Sequence, residues 1–173
     1  MRTTARAGLG LALTGLLVGI GSQAALAVDD TTPVTAEVEG GTLSIAAPAT
    51  LALAGAEPGS TASGNLGTVT VTDDRADVLG WVTSVSISDF TPDTVTGASI
   101  PVSGFTYTPS VATTTGTVAV LESVATGAGP SVVQTASDVT GQNSASWTAA
   151  VSLVIPSDAL ADTYSTTLTH SVI

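Results

Sequence analysis

The stretch that decides the fold is residues 164–173, YSTTLTHSVI, in which two kinds of side chain alternate. One set consists of Tyr164, Thr166, Leu168, His170 and Val172. The other set consists of Ser165, Thr167, Thr169 and Ser171. Because successive side chains of a strand point to opposite faces, this alternation predicts a half-buried β-strand with its apolar side inward. We expect the rest of the chain to be built to receive this strand.

Strand-type alternation recurs along the chain at short intervals. Residues 34–39 alternate Val or Ala with Thr or Glu, and Gly40-Gly41 offers a tight turn into residues 42–45, which predicts a hairpin. Further strands are predicted at residues 50–54, 66–72, 81–88, 105–108, 118–121, 131–134 and 147–155. About eight to ten short strands without a convincing helix predict an all-β fold, an antiparallel β-sandwich of the Ig-like or Greek-key type. A small closed barrel is the alternative.

The first 27 residues have the features of a cleavable secretion signal. A basic start with Arg2 and Arg6 precedes an apolar run at residues 8–20, and Ala25-Leu26-Ala27 forms an A-x-A cleavage site. An uncleaved anchor is the alternative, although the run is shorter than the ~20 residues of a membrane helix. We therefore expect a secreted, extracellular protein that has no membrane segment once the signal is removed. The predicted organisation is a signal peptide at 1–27, a short flexible tail at 28–33 and a single domain at 34–173.

Charge and cysteine content limit the partners. The chain has no cysteine and no lysine, and after signal removal 14 acidic residues face Arg75 alone, a formal charge of −13. Such a surface repels nucleic acid and anionic lipid. Stability has to come from packing and sheet hydrogen bonds because no disulfide is available. The mean hydropathy of +0.48 indicates that the composition supports a core.

The two tryptophans and the single histidine each have a structural and a functional interpretation. Trp81 and Trp147 begin strands and share faces with aliphatic residues, which favours core anchors over platforms for stacking on a glycan. His170 lies on the inward face of the terminal strand, where we expect a partly buried polar residue bonded to a threonine or a backbone group. One histidine without cysteine offers no partners for a metal, and we predict no metal and no cofactor.

The acidic run at residues 73–77 surrounds the only arginine after the signal. Arg75 can hold the turn through bidentate hydrogen bonds to a carboxylate of Asp73, Asp74 or Asp77. A structural ion pair is the first interpretation. A calcium-binding loop is the alternative, since the three carboxylates are hard oxygen ligands.

Catalytic motifs are not evident in the sequence. Serine and threonine are abundant, yet no G-x-S-x-G or S-x-x-K pattern supplies a base, and the acidic residues cluster in turns and tails. We predict that the protein is not an enzyme and that it acts by binding.

Three segments together are similar to a known family. They are GNLGTVTVTDDRADVLGW at residues 64–81, the strand led by Trp147, and the terminal YSTTLTHSV. This combination resembles the WxL-type cell-wall-binding domain of Gram-positive surface proteins, of which the chain would be a distant member. Family motifs are matched by Trp81, Tyr164, Leu168 and Thr169. Thr83, His170 and Val172 replace the leucine, tryptophan and leucine of the two motifs.

The resemblance implies a function. Proteins of this family attach non-covalently to peptidoglycan, often beside partner surface proteins, so peptidoglycan or a wall-associated surface protein is the expected partner. Trp81, Tyr164, Leu168, Thr169 and His170 are the candidate binding positions that it implies. The alternative is a structural or adhesive subunit that assembles with itself or with other surface proteins through exposed sheet edges. The oligomeric state stays open.

Overall fold

The computed structural model describes residues 29–173, so the predicted signal at 1–27 lies outside the described residues. Residues 29–36 are exposed and contain neither strand nor helix. Residues Glu37–Ile173 form a compact unit of their own. Within the described residues no helix is both long and apolar enough to cross a membrane.

The all-β prediction is confirmed, with antiparallel pairing throughout. Eight strands belong to one sheet that curls around the core into a nearly closed, barrel-like form, and two very short strands pair separately. The described part of the chain contains one 3₁₀ turn, Val102–Gly104, which precedes β5. The strands are β1 Leu43–Ala46, β2 Thr61–Asp73, β3 Val82–Ile87, β4 Thr91–Pro92, β5 Phe105–Pro109, β6 Thr113–Glu122, β7 Ala125–Thr126, β8 Ser131–Val154, β9 Tyr164–Ser165 and β10 Leu168–Val172.

The strand at the centre of the sheet is β8, with 24 residues. Its first half pairs with β3 and β6, and its second half pairs with β2, β5 and the start of β6. Asp138 and Gly141 adopt positive φ between the two halves, at 53° and 70°. The strand therefore bends there without ending, and its two halves line different sides of the core.

The inward faces agree with the predicted alternation. Trp81, Thr83, Val85 and Ile87 are all buried, as are Val69 and Val71 of β2. In the second half of β8, Trp147, Ala149, Val151 and Leu153 are buried, and Ile155 just beyond it is half-buried. Because the register of each strand keeps its apolar side chains on the inner face, these side chains form one continuous aliphatic and aromatic core.

The terminal strand has the predicted alternation but not the predicted central place. In β10, Leu168, His170 and Val172 are half-buried while Thr169 and Ser171 are exposed. Among the described residues, β10 pairs with β3 alone, in the register Leu168↔Ile87 to Val172↔Thr83. It is an edge strand, and the chain is organised around β8 instead.

Two predicted strands are not formed. Residues 34–39, the first arm of the predicted hairpin, are without strand structure, and Val34 and Val38 are 89% and 86% exposed. Residues 50–54 are likewise irregular. The second arm of the hairpin does form, as β1, but it pairs with β2. Alternation shows that a segment suits a strand, whereas a strand also requires a regular ladder of hydrogen bonds to a neighbour, which neither segment forms.

Candidate functional site

The end of β2 is closed by a buried polar network. Asp73 is 1% exposed, and its carboxylate accepts two hydrogen bonds from the Arg75 side chain, one from Nε to Oδ1 at 2.9 Å and one from a terminal nitrogen to Oδ2 at 3.0 Å. The Arg75 backbone N–H also donates to Oδ1, at 3.2 Å. Asn143 Nδ2 donates to the same Oδ2 at 3.1 Å. Trp81 Nε1 in turn donates to Asn143 Oδ1 at 3.1 Å. The network joins the end of β2, the start of β3 and the middle of β8.

The predicted ion pair is thereby confirmed, with Asp73 as the partner of Arg75. Chiefly through the side-chain hydrogen bonds from Arg75, the pKa of Asp73 is held below its ordinary value of 3.8. Asp77 lies 4.0 Å from Arg75 Nε and accepts a hydrogen bond from the Leu79 backbone N–H, whereas Asp74 is exposed. Because Arg75 and Asn143 already donate to the Asp73 oxygens, this turn is built for an ion pair and not for a cation.

A second buried chain of hydrogen bonds connects the core to β10. Trp147 Nε1 donates to the hydroxyl oxygen of Tyr107 at 3.1 Å, and His170 Nε2 lies 3.3 Å from the same oxygen. The rings of Tyr107 and His170 meet edge to face, with centroids 5.7 Å apart. The partner of His170 is thus a tyrosine rather than the expected threonine or backbone group. Burial lowers the pKa of His170 and raises that of Tyr107.

The opposite end of β2 borders a large apolar groove. Its volume is about 1120 Å³, and it lies between residues 47–58 on one side and residues 159–168 with His170 on the other. Buried side chains of β2, β5 and β8 form its floor, including Leu66, Phe105 and Leu153. A groove of this size with a largely apolar lining is typical of a ligand-binding site.

One wall of the groove is held by hydrogen bonds around Asp162. Its Oδ2 accepts from the backbone N–H groups of Thr94 and Val95, at 2.8 and 2.7 Å, and its Oδ1 accepts from that of Thr163 at 2.8 Å. These backbone donors, that of Val95 first, lower the pKa of Asp162. The Tyr164 hydroxyl donates to the Leu160 carbonyl at 3.0 Å. This wall is therefore fixed by specific bonds.

The other wall has few backbone partners. Among the described residues, residues 47–54 make one backbone hydrogen bond outside regular strands, from Ala54 N–H to the Ser63 carbonyl at 2.7 Å. The segment lies close against β2, because a Cβ on Gly64 would stand 2.8 Å from the Ala52 carbonyl oxygen. Leu51 and Leu53 are half-buried while Thr50 and Ala52 are exposed. The predicted alternation is present here without the predicted strand.

The candidate residues from the sequence divide between these regions. Tyr164, Leu168 and His170 line the groove. Trp81 is 1% exposed within the network and Trp147 is 2% exposed, so the core interpretation of both rings is confirmed. Thr169 points to solvent, and Val172 is half-buried. Thr83 is fully buried with its hydroxyl 3.5 Å from the Gln134 carbonyl oxygen.

Sequence reasoning missed Asn143, Tyr107 and Gln134. Asn143 stands in the polar run GQNSAS, which reads as a loop, and Tyr107 lies in a strand with no motif. Gln134 is fully buried, donates from Nε2 to the Ser110 carbonyl at 3.2 Å, and leaves its Oε1 without a partner in the described part of the chain. The strand alternation signals that Tyr107 faces inward, but nothing local signals the partners of these side chains.

Fold and groove together define a class: an all-β antiparallel domain with an apolar groove between its edge strand and an irregular segment. The described residues contain no group of three or more His, Cys, Asp or Glu side chains placed to hold a metal ion. Comparison with protein-family models, with curated proteins and with solved structures found no match to this chain.

Proposed function

We propose that the protein is a secreted surface protein that attaches non-covalently to the Gram-positive cell wall, to peptidoglycan or to a wall-associated protein, through a WxL-like β domain. The observation that carries the proposal is the convergence of Tyr164, Leu168 and His170 on the groove. These three come from the segment whose motif resembles the wall-binding family. The groove, and not Trp81, is then the binding surface.

The chemistry of the groove favours binding without turnover. Its floor is largely apolar, with the buried rings of Phe90 and Phe105 among aliphatic side chains. His170 Nε2 lies 3.3 Å from the Tyr107 hydroxyl oxygen and is engaged there. A sugar ring usually stacks on exposed aromatic faces, whereas the Phe90 and Phe105 rings of this floor are buried. The aliphatic side chains of the lining suit the methyl and methylene groups of a peptide. Within peptidoglycan we therefore propose the peptide portion as the contact.

Co-sedimentation with purified wall sacculi, before and after removal of secondary polymers, tests the proposal. Ala52→Phe places a large ring in the groove from an exposed position and should release the protein from the pellet. The matched control is Ala119→Phe on the exposed side of β6, which should pellet like the parent. Recovery of the parent only in the supernatant under both conditions would remove the wall-binding proposal.

A structural or adhesive subunit is the second candidate function. Its support is the open side of β6, a ten-residue strand that pairs only with β8 in the described part of the fold. Residues 113–121 carry no charge, and uncharged edges accept further strands readily. Light scattering would show an oligomer indifferent to sacculi if this function holds.

A further inference from the structure

The buried hydrogen bonds that run from Trp147 through Tyr107 to His170 have a fixed direction. The indole N–H of Trp147 can only donate, so the Tyr107 oxygen, 3.1 Å away, is its acceptor. The Tyr107 side chain is fully buried, and within the described part of the chain the other polar partner of its hydroxyl is His170 Nε2, at 3.3 Å. The hydroxyl hydrogen of Tyr107 therefore has one acceptor within reach, and that acceptor is Nε2.

This direction fixes the tautomer of the neutral His170 ring. A neutral imidazole carries hydrogen on one nitrogen and accepts at the other, and the partner of one nitrogen decides which. With hydrogen on Nε2, the Tyr107 oxygen would face two N–H groups and its own buried hydroxyl hydrogen would have no acceptor, which is strongly unfavourable. The neutral ring therefore carries its hydrogen on Nδ1.

Nδ1 of His170 is open to a ligand. It has no hydrogen-bond partner within residues 29–173. Among the buried side-chain nitrogen and oxygen atoms of these residues, Gln134 Oε1 is the one without a partner, so the unpartnered Nδ1 is reached by solvent. His170 is half-buried and lines the groove. The neutral ring thus presents an N–H donor in the groove, held in place by groups of the core.

The charged side chains of the groove lining determine which acceptor suits this donor. Glu57 and Asp162 are the charged residues of the described lining, which contains neither arginine nor lysine. Arg75 is engaged with Asp73 at the other end of β2. A carboxylate ligand would meet like charges with no cation to offset them, whereas an uncharged amide carbonyl avoids this repulsion and accepts from the same N–H. An amide carbonyl therefore suits the groove better.

We propose that His170 is the polar anchor of the groove, and that the Nδ1–H of its neutral ring donates a hydrogen bond to an amide carbonyl oxygen of the bound peptide. The apolar groups of the peptide lie along the lining, and the single oriented donor fixes how the peptide is placed. This proposal rests on the wall-peptide function proposed above and names the group that the groove recognises.

The tautomer can be measured directly, because His170 is the only histidine of the chain. At about pH 8 the ring is neutral, since burial lowers its pKa below the ordinary 6.5. Nitrogen-15 NMR of the labelled protein should then show Nδ1 protonated and Nε2 unprotonated. A ring protonated at Nε2 would overturn the proposal whatever the protein binds.

Binding can be tested at the same nitrogen with N-acetyl-trialanine amide, an uncharged peptide with small apolar side chains. Its addition should shift the Nδ1–H resonance. His170→Phe keeps a ring without a donor and should bind the peptide about three- to tenfold more weakly, as followed by the backbone amide signals of the groove. The matched control is Ser171→Ala, at the exposed neighbour on the other face of β10, which should bind like the parent.

Two results of this titration would contradict the proposal. If His170→Phe does not fold, the parent alone decides, and an Nδ1–H resonance that stays unchanged at saturating peptide overturns the anchor. The same peptide with a free carboxylate should bind more weakly than the amide. Tighter binding of the carboxylate form would overturn the choice of an amide carbonyl.

Failure of this proposal and failure of wall binding are distinguishable by co-sedimentation with sacculi. If the parent and His170→Phe pellet equally while Ala52→Phe stays in the supernatant, the groove binds the wall and His170 is not its anchor. If the parent stays in the supernatant yet its Nδ1–H resonance shifts with the amide peptide, wall binding is wrong and the anchor stands. If the parent binds neither sacculi nor peptide, both proposals are wrong.

Discussion

The two ends of β2 lie in opposite environments, one in a hydrogen-bonded polar network and the other beside an open groove. At Asp73 the strand ends in a network in which carboxylate, guanidinium, amide and indole groups each have a partner. At Thr61 it begins beside a groove of about 1120 Å³ whose irregular wall makes few backbone bonds. The contrast teaches that one strand joins an end whose polar groups are all bonded to an end that borders an open groove. Substitutions at the first end should therefore change unfolding, and substitutions at the second should change binding.

The largest effect is expected from Trp81→Ala, which opens the closed end. The change removes a ring that is 1% exposed and leaves Asn143 Oδ1 without its donor. Large-to-small substitution of a buried aromatic costs about 3–5 kcal/mol of unfolding free energy. Urea denaturation followed by circular dichroism measures it. Leu79→Ala, two residues earlier and 61% exposed, is the matched control and should change stability little. An equal loss in both variants would contradict the assignment of Trp81 to the core.

Asp73→Asn should have a smaller effect, because it keeps the shape of the side chain and removes its charge. Hydrogen bonds to charged groups contribute about 1.5–3 kcal/mol, and the variant loses at least one of those from Arg75. Asp74→Asn, at the exposed neighbour, is the control and should melt like the parent.

The pH dependence of the same pair provides a second measurement. The folded pKa of Asp73 lies below the ordinary 3.8, so its contribution is present above that value and is lost as the pH falls through the folded pKa. Denaturation midpoints of parent and Asp73→Asn should converge in that acidic range. A constant difference down to the lowest pH would contradict the ion pair.

Much of the fold was predictable because alternation is a local signal. The inward faces of β3 and of the second half of β8 follow directly from the spacing of Trp81, Val85, Trp147 and Leu153. The dominance of β8 was not predictable, because residues 131–134 and 147–155 read as separate strands across the polar, glycine-containing stretch between them. Positive φ at Asp138 and Gly141 lets the chain bend there and continue pairing.

The groove was not predictable from the sequence, for a different reason. Its walls come from residues 47–58 and from residues 159–168 with His170, which are more than 100 positions apart. The residue pattern of one strand carries no information about which distant segment lies opposite it. The sequence did mark Tyr164, Leu168 and His170 as one inward face, and three-dimensional placement turned that face into the lining of the groove.

The smallest effect is expected from the ionisation of His170, which lies where the core meets the groove. Trp147 donates to the Tyr107 oxygen, so the Tyr107 hydroxyl hydrogen is free to point at Nε2 of a neutral His170. Protonation places a hydrogen on Nε2 and turns this acceptor into a second donor aimed at the same oxygen. Burial already lowers the pKa of His170 below its ordinary 6.5. The unfolded chain therefore takes up the proton first as the pH falls, and stability should decline from about pH 6.5 toward the folded pKa and then level off.

Urea denaturation at closely spaced pH values between 8 and 5 measures this decline. His170→Gln removes the only histidine and should flatten the profile in this window. If the parent profile is equally flat, the stability of the fold does not depend on the protonation of His170 and this prediction is wrong.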